Sequence, residues 1–274
     1  MSITIPLLIT PVELQTDDPL QRVQAIMITR RRLLALAPLL ILPAQAQHAP
    51  SKKKGSCSGS ADAADKLKAS WRYDWGAQGG SSPTVEFVPM VKGTPHFRAG
   101  FWEQVAGLKA RGAKHLLGFN EPERKSQGNL TIAQALDLWP KLEATGLRLG
   151  SPAPSSDGGG MAWLREFMKE VKKRKLRVDF IAIHWYRSSD LAAFESWLKD
   201  LKHDFDRPVW LTEFNAWNAD ANTQERFLKG AVKILERLTF VERYAFFSPG
   251  AGKPGSLFKA DGQLSELGEF YREL

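Results

Sequence analysis

The chain has 274 residues, 43% of them hydrophobic and 25% charged, with one cysteine and nine tryptophans. This composition is globular and excludes a disordered chain; a single cysteine excludes an internal disulfide framework and any zinc site built on several thiolates. The net charge is +8, but removing the six cations of two short blocks (Arg30, Arg31, Arg32 and Lys52, Lys53, Lys54), both read as lying outside the folded domain, leaves +2, so no nucleic-acid partner is expected.

Taken in chain order, residues 1–46 read as an export signal region. Arg30–32 form a basic start, residues 33–42 an apolar stretch, and Ala44-Gln45-Ala46 a cleavage site. Pro38 and Pro43 oppose a helix of the mature protein. The apolar stretch is far shorter than the ~20 residues needed to span a bilayer, so no stable membrane anchor is expected. The paired arginines after Thr29 fit a twin-arginine signal as well as a general secretory one. Glu13, Asp17 and Asp18 do not suit such a segment, which points to Met27 as the true start. The expected location is secreted or periplasmic. Residues 47–65 read as a flexible linker, polar and rich in Lys, Ser and Gly up to residue 60. Cys57 falls inside it and is expected to be neither core nor nucleophile.

From residue 66 to 274 a regular alternation begins. Candidate strands are 69–75, 85–90, 114–120, 147–152, 178–186, 208–214 and 243–248. Thr131 and Gln134 form a capping box ahead of a helix whose apolar face is Ile132, Ala135, Leu136, Trp139 and Leu142, with Pro140 expected to kink it. Leu164, Phe167, Met168 and Val171 mark the next helix. Asp190 is the expected cap of the one carrying Leu191, Phe194, Leu198 and Leu201. Phe227, Ala231, Ile234, Leu235 and Leu238 mark a fourth, and Ser265 opens a terminal helix. The basic run 169–177 reads as a solvated helix end, and Gly158–160 after Asp157 as a plain turn.

Strands alternating with helices mean an α/β fold with a parallel sheet, either open and doubly wound or closed as a (β/α)8 TIM-type barrel. No dinucleotide or Walker glycine motif is present. Seven strands are one short of a barrel. The eighth is expected to be irregular or to lie in 76–83 or 92–100.

Three apolar strands end in polar residues at the same end. They lead into Gly118-Phe119-Asn120-Glu121-Pro122, His184-Trp185-Tyr186 and Thr212-Glu213-Phe214, with Asn215 next. A carboxylate at such a place costs burial energy unless it is paired or used. In a barrel these ends converge on one face, and two carboxylates there suffice for glycoside hydrolysis.

These residues resemble the signature of glycoside hydrolase family 128, also called the glycosyl hydrolase catalytic core or alkali-sensitive-linkage-like family. The resemblance spans residues 66–274, and Trp71–Trp75 matches its aromatic first-strand segment loosely, with Tyr73 where that family is richer in Trp and Asn. It implies a (β/α)8-type barrel, missing its extra strand in the N-terminal half. It also implies an endo-β-1,3-glucanase that retains anomeric configuration, with no cofactor and no metal.

The chemistry then suggests roles. Glu121 is the candidate general acid/base, expected to be held protonated by apolar neighbours. Glu213 is the candidate nucleophile, with Tyr186 as a donor to it. Asn120 suits a sugar 2-OH, and His184 suits substrate or Glu213. Glu123 is expected in solvent. Trp75, Trp185, Trp217 and Phe119 are candidate sugar platforms, and Asn215 a candidate contact. Trp139, Trp163 and Trp197 read as helix packing. The expected partner is a polysaccharide or oligosaccharide and the expected state a monomer. Two alternatives remain: the same barrel acting on another β-glycan backbone, and a non-catalytic glycan-binding barrel of the cell envelope.

Overall fold

The computed structural model describes residues 51–57, 59–80 and 82–274. The expected export signal lies outside them. Among the described residues eight strands run in parallel: β1 (Lys54–Cys57), β2 (Trp71–Tyr73), β3 (Glu86–Phe87), β4 (His115–Leu116), β5 (Arg148–Leu149), β6 (Ile181–Arg187), β7 (Val209–Ala216) and β8 (Val241–Phe247). They pair in the order β3-β2-β1-β8-β7-β6, with β4-β5 as a separate pair. Single parallel bridges join Met90 to Leu117 and Gly150 to Phe180, just beyond the short strands, and complete the ring. The TIM-type barrel is therefore the closure adopted.

The missing strand is β1, and it sits inside the stretch read as a linker. Neither 76–83 nor 92–100 supplies it. A strand of Lys-Gly-Ser-Cys has no apolar run, so pattern reading passes over it. Its burial comes from backbone pairing on both sides, to β2 and β8. Gly55 is required there, because a Cβ would fall 2.2 Å from the Trp71 ring. The basic block is likewise part of the domain. Lys54 Nζ donates to the carbonyls of Tyr271 (2.8 Å) and Arg272 (2.9 Å). Lys53 Nζ donates to those of Leu235, Glu236 and Leu238 at 3.0, 3.0 and 3.1 Å. Each lysine thus satisfies carbonyls left over at a helix C-terminus, where a cation is also favoured electrostatically. Cys57 is buried core, not linker, and burial pushes its thiol well above the ordinary range, which makes it inert.

Helices pack outside the ring. The capping box at Thr131 opens the helix Ile132–Glu143, which continues through Pro140. Asp157, Asp190, Asp220 and Ser265 cap the helices Gly158–Arg174, Leu191–Phe205, Ala221–Arg237 and Glu266–Arg272 with their side-chain oxygens. Gly158–160 is thus the first turn of a helix. The apolar faces expected for these helices are buried against the strands, and Lys172, Lys173 and Arg174 lie exposed in a last turn. No helix among the described residues is long and apolar enough to cross a membrane.

Strand alternation divides the apolar residues into two cores. One lies between barrel and helices and includes Leu211, Phe214, Ile183 and Trp185. The other fills the barrel with Trp71, Tyr73, Met90, Leu117, Phe180, Ala182 and Trp210. Phe180 stacks on Trp210 with centroids 4.0 Å apart. Charged residues close the barrel floor at the N-terminal strand ends. Glu86 lies 2.7 Å from His115 Nδ1 and 2.6 Å from Arg243 Nη2. Arg148 holds Glu242 with two hydrogen bonds, of 2.7 and 2.9 Å. The Arg243 guanidinium sits 4.3 Å from the Trp210 ring centroid.

Candidate active site

At the opposite, C-terminal end of the strands the interior column continues upward from Trp71 to Tyr73. The Tyr73 hydroxyl donates to Glu213 Oε1 at 2.9 Å. Glu213 faces inward because of a bulge. Ile183 pairs with Leu211, but His184 pairs with Glu213, so Thr212 is an extra residue in β7. Without that extra residue, simple alternation would turn Glu213 toward the helices; a bulge re-aims a side chain in this way. The Trp75 indole donates to the same Oε1 at 2.9 Å, and the Tyr186 hydroxyl to Oε2 at 2.6 Å. Both phenols stay protonated donors: burial first, then the nearby Glu213 charge, pushes Tyr73 and Tyr186 far above the ordinary tyrosine range.

Glu121 follows β4. Its φ of 39° lies in the left-handed region. Such strain persists only where the surroundings over-determine it. Here the Glu121 amide donates to the Ala153 carbonyl at 2.7 Å, and its carbonyl accepts from Arg124 and Gly128. Gly128 packs so closely that a Cβ would lie 2.6 Å from the Asn120 carbonyl oxygen. Trp75, with φ of 60°, is the second strained residue of the cleft.

His184 is fully buried between the two carboxylates. Its Nε2 lies 3.3 Å from Glu213 Oε1 and its Nδ1 3.6 Å from Glu121 Oε1. Burial pushes the imidazole down, but Glu213 and Glu121 outweigh it and hold the net value above the ordinary histidine range. Glu121 shows the reverse balance. Burial pushes it up, yet His184 and then Arg124 bring it below the usual glutamate range. The expectation of a carboxyl raised by apolar neighbours is therefore corrected. Of the cations beside it, His184 comes from a distant strand and Arg124 from three residues along the same loop.

The two carboxylates open into a cleft of about 670 Å³. Trp75, Tyr186, Trp217 and Phe247 form an aromatic wall, and Asn120, Arg124, Gln127 and Asp157 a polar one. Trp217 is 63% exposed, and its ring meets Tyr186 edge-on at 5.9 Å. Asn120 Oδ1 is buried without a protein partner and adjoins the cleft. Glu123 is half-buried rather than in solvent, with Oε1 accepting from the Ser155 amide at 2.9 Å.

Four candidates do not line this cleft: His184, which is buried beneath the carboxylates and so touches Glu213 rather than open space, and three that face elsewhere. Trp185 alternates with His184 and Tyr186, so it points outward and packs on Phe194 and Trp197 at 5.1 and 5.2 Å. Phe119 likewise faces outward, against Trp139 at 6.0 Å. Asn215 is tied to the Phe247 carbonyl and to Gln224, at 3.3 and 2.8 Å. Conversely, Tyr73, Lys92, Arg124, Gln127, Ser155, Ser156, Asp157 and Phe247 belong to the site and were not singled out from sequence. Counting parity along 71–75 would have found Tyr73. The others sit mostly in loops after strands, where no period operates.

A family described as glycosyl hydrolase catalytic core matches residues 52–271. Alkali-sensitive linkage protein 1 of Schizosaccharomyces pombe is 32% identical over 221 residues, 73% of this chain but only 39% of that protein. The chain thus spans well under half the length of this curated relative. Among solved structures, a subgroup I endo-β-1,3-glucanase of glycoside hydrolase family 128 from Amycolatopsis mediterranei, in complex with laminaripentaose, is 34% identical with a TM-score of 0.71, covering 81% of this chain and 99% of that one. A subgroup II endo-β-1,3-glucanase from Sorangium cellulosum gives 33% and 0.71, with coverage of 80% and 97%. A subgroup III curdlan-specific exo-β-1,3-glucanase from Blastomyces gilchristii, in complex with glucose, gives 30% and 0.70, with coverage of 81% and 98%.

Proposed function

Since the chain belongs to the glycosyl hydrolase catalytic core family, we propose that it hydrolyses β-1,3-glucan with retention of anomeric configuration, Glu213 acting as nucleophile and Glu121 as acid/base. One observation carries the reading: a single buried imidazole lies between the two carboxylates, beneath a cleft with one aromatic wall. In the first step a Glu213 oxygen bonds to the anomeric carbon while Glu121 gives its proton to the departing glycosidic oxygen. In the second, Glu121 takes a proton from water, the water oxygen bonds to the anomeric carbon, and Glu213 leaves as carboxylate. Retention requires carboxyls ~5–5.5 Å apart, close enough for direct attack. Tyr73, Trp75 and Tyr186 fix the attacking group. The unpartnered Asn120 Oδ1 suits the sugar 2-OH, a contact that strengthens in the transition state. Trp217 and Trp75 offer rings to the apolar faces of sugars.

The test is a panel of laminarin, curdlan, cellulose, xylan and mannan with product analysis. Oligosaccharides released from laminarin or curdlan are expected. Release from another backbone alone would favour that β-glycan, and binding without release would favour a non-catalytic barrel.

Export with removal of residues up to Ala46 belongs to the same reading. Its support is the basic, apolar, Ala-Gln-Ala order together with β1, which begins at Lys54 and would survive such a cut intact. N-terminal sequencing of protein from an exporting host should find a start near Gln47. Secreted protein still beginning at Met1 or Met27 would refute processing.

A further inference from the structure

Arg124 sits where three carboxylates meet. Its Nε lies 3.7 Å from Glu121 Oε2 and 3.9 Å from Glu123 Oε1, and its Nη2 donates to Asp157 Oδ2 at 2.7 Å. Asp157 does not wander, because its other oxygen caps the helix Gly158–Arg174, accepting from the Gly160 amide at 2.9 Å. The guanidinium is therefore anchored to the N-terminus of the helix Gly158–Arg174 and held beside Glu121. Glu123 is itself fixed, through the Ser155 amide. No charged contact of this kind joins Arg124 to Glu213.

We propose that Arg124 and Asp157 are an opposed pair of positioning residues that set how readily Glu121 holds its proton, Arg124 favouring the carboxylate and Asp157 drawing that cation away. The idea rests on Glu121 being the acid/base of the proposed hydrolysis. The groups facing Glu121 are Arg124 and Glu123 on its own loop, Asp157 after β5, His184 and Tyr186 on β6, Glu213 on β7, and Lys92 on the loop after β3. Of these, Arg124 is the exposed cation reachable without disturbing Glu213. His184 touches both carboxylates, so its removal would not separate them.

The pair has a signature that plain packing lacks. Loss of the cation should let Glu121 keep its proton to higher pH. Loss of the Asp157 charge should do the opposite, both directly and by releasing the guanidinium toward Glu121. An opposite charge within ~4–6 Å moves a carboxyl by ~1–3 units; since Arg124 and Asp157 are roughly half exposed, ~0.5–1 unit is the reasonable expectation after screening. The bias acts on the first step, where Glu121 must donate, and not on departure of a group that needs no proton.

The experiment measures kcat/KM against pH on a laminari-oligosaccharide and on a 2,4-dinitrophenyl β-glucoside or laminaribioside, for wild type, Arg124→Gln, Arg124→Lys and Asp157→Asn. The alkaline limb on the oligosaccharide should move up by ~0.5–1 pH unit in Arg124→Gln, return in Arg124→Lys, and move down in Asp157→Asn. The limb on the aryl substrate should stay in place in all four. Asparagine also caps helices well, so Asp157→Asn keeps the fold even if an Arg124 variant does not. Unmoved limbs, or limbs moving the same way in both charge variants, would overturn the pairing while leaving the hydrolysis intact. A wild type inactive on both substrates would overturn the proposed function and this inference with it.

Discussion

Glu213→Ala is expected to lower turnover of β-1,3-glucan by a factor on the order of 10⁴ or more, because it deletes the proposed nucleophile. The fold should survive. Tyr73, Trp75 and Tyr186 lose an acceptor, but all adjoin the open cleft or its floor, where water can replace the carboxylate. The vacated space is the size of a small anion. Azide with a dinitrophenyl β-glycoside should therefore restore turnover in the variant and yield the α-glycosyl azide. Glu121→Ala should behave differently, forming the glycosyl-enzyme readily from that activated substrate but stalling at the water step. NMR of the first product from wild type should show the β-anomer. An α-anomer appearing first would mean inversion and would make Glu213 a base acting through water.

The second large effect lies at the other end of the barrel. Burial pushes Glu86 up, but His115 and Arg243 outweigh it and bring it down to about 2, against an ordinary value of 4.5. A carboxyl depressed on folding contributes stability that is fully present above its unfolded value and is lost as pH falls toward its folded value. The contribution should thus be complete above about pH 4.5 and gone near pH 2. A shift of this size corresponds to ~3 kcal/mol as an order of magnitude, for a side chain 24% exposed. Glu86→Gln should cost about that at pH 7, leaving Arg243 without its partner over Trp210. Urea unfolding at pH 7, 4 and 3 would show the gap between variant and wild type closing as pH falls. A gap constant across that range would assign the loss to packing instead of charge.

Much of this architecture can be read in the residues, and the failures have physical causes. The helices were legible because their caps and faces are local: Thr131 with Gln134, Asp190, and the buried faces on 191–205 and 221–237. The long strands β6, β7 and β8 were legible from apolar runs. β3, β4 and β5 shrink to two residues each, since the chain leaves regular pairing sooner than its apolar content does. β1 was invisible because its burial is bought by partners remote in sequence. At the site, Glu121 and Glu213 stood out as carboxylates ending apolar strands. Trp185 and Phe119 were misassigned by attending to strand ends without following parity. Parity would in turn have failed for Glu213, where Thr212 bulges. The downward balance at Glu121 depends first on His184, whose approach only the fold determines, and then on Arg124, which lies three residues along the same loop.

The position of β1 has a consequence for how the molecule is made. Strands β2 and β3 pair as neighbours soon after synthesis, and so do β6, β7 and β8 in succession. β1 lies between β2 and β8, so one of its edges stays open until almost the whole domain exists. Its ties to the last helix are just as distant: the Tyr271 hydroxyl donates to the Gly55 carbonyl 216 residues away. Ring closure is therefore a late, high-contact-order event with a large loop-closure cost. Until it happens Trp71 lacks its late neighbour Trp210, and the β8-facing edge of β1 is the part of a nascent chain most exposed to mispairing. A ribosome stalled before β8 should thus hold a protease-sensitive partial barrel, and release of the complete chain should convert it in one cooperative step.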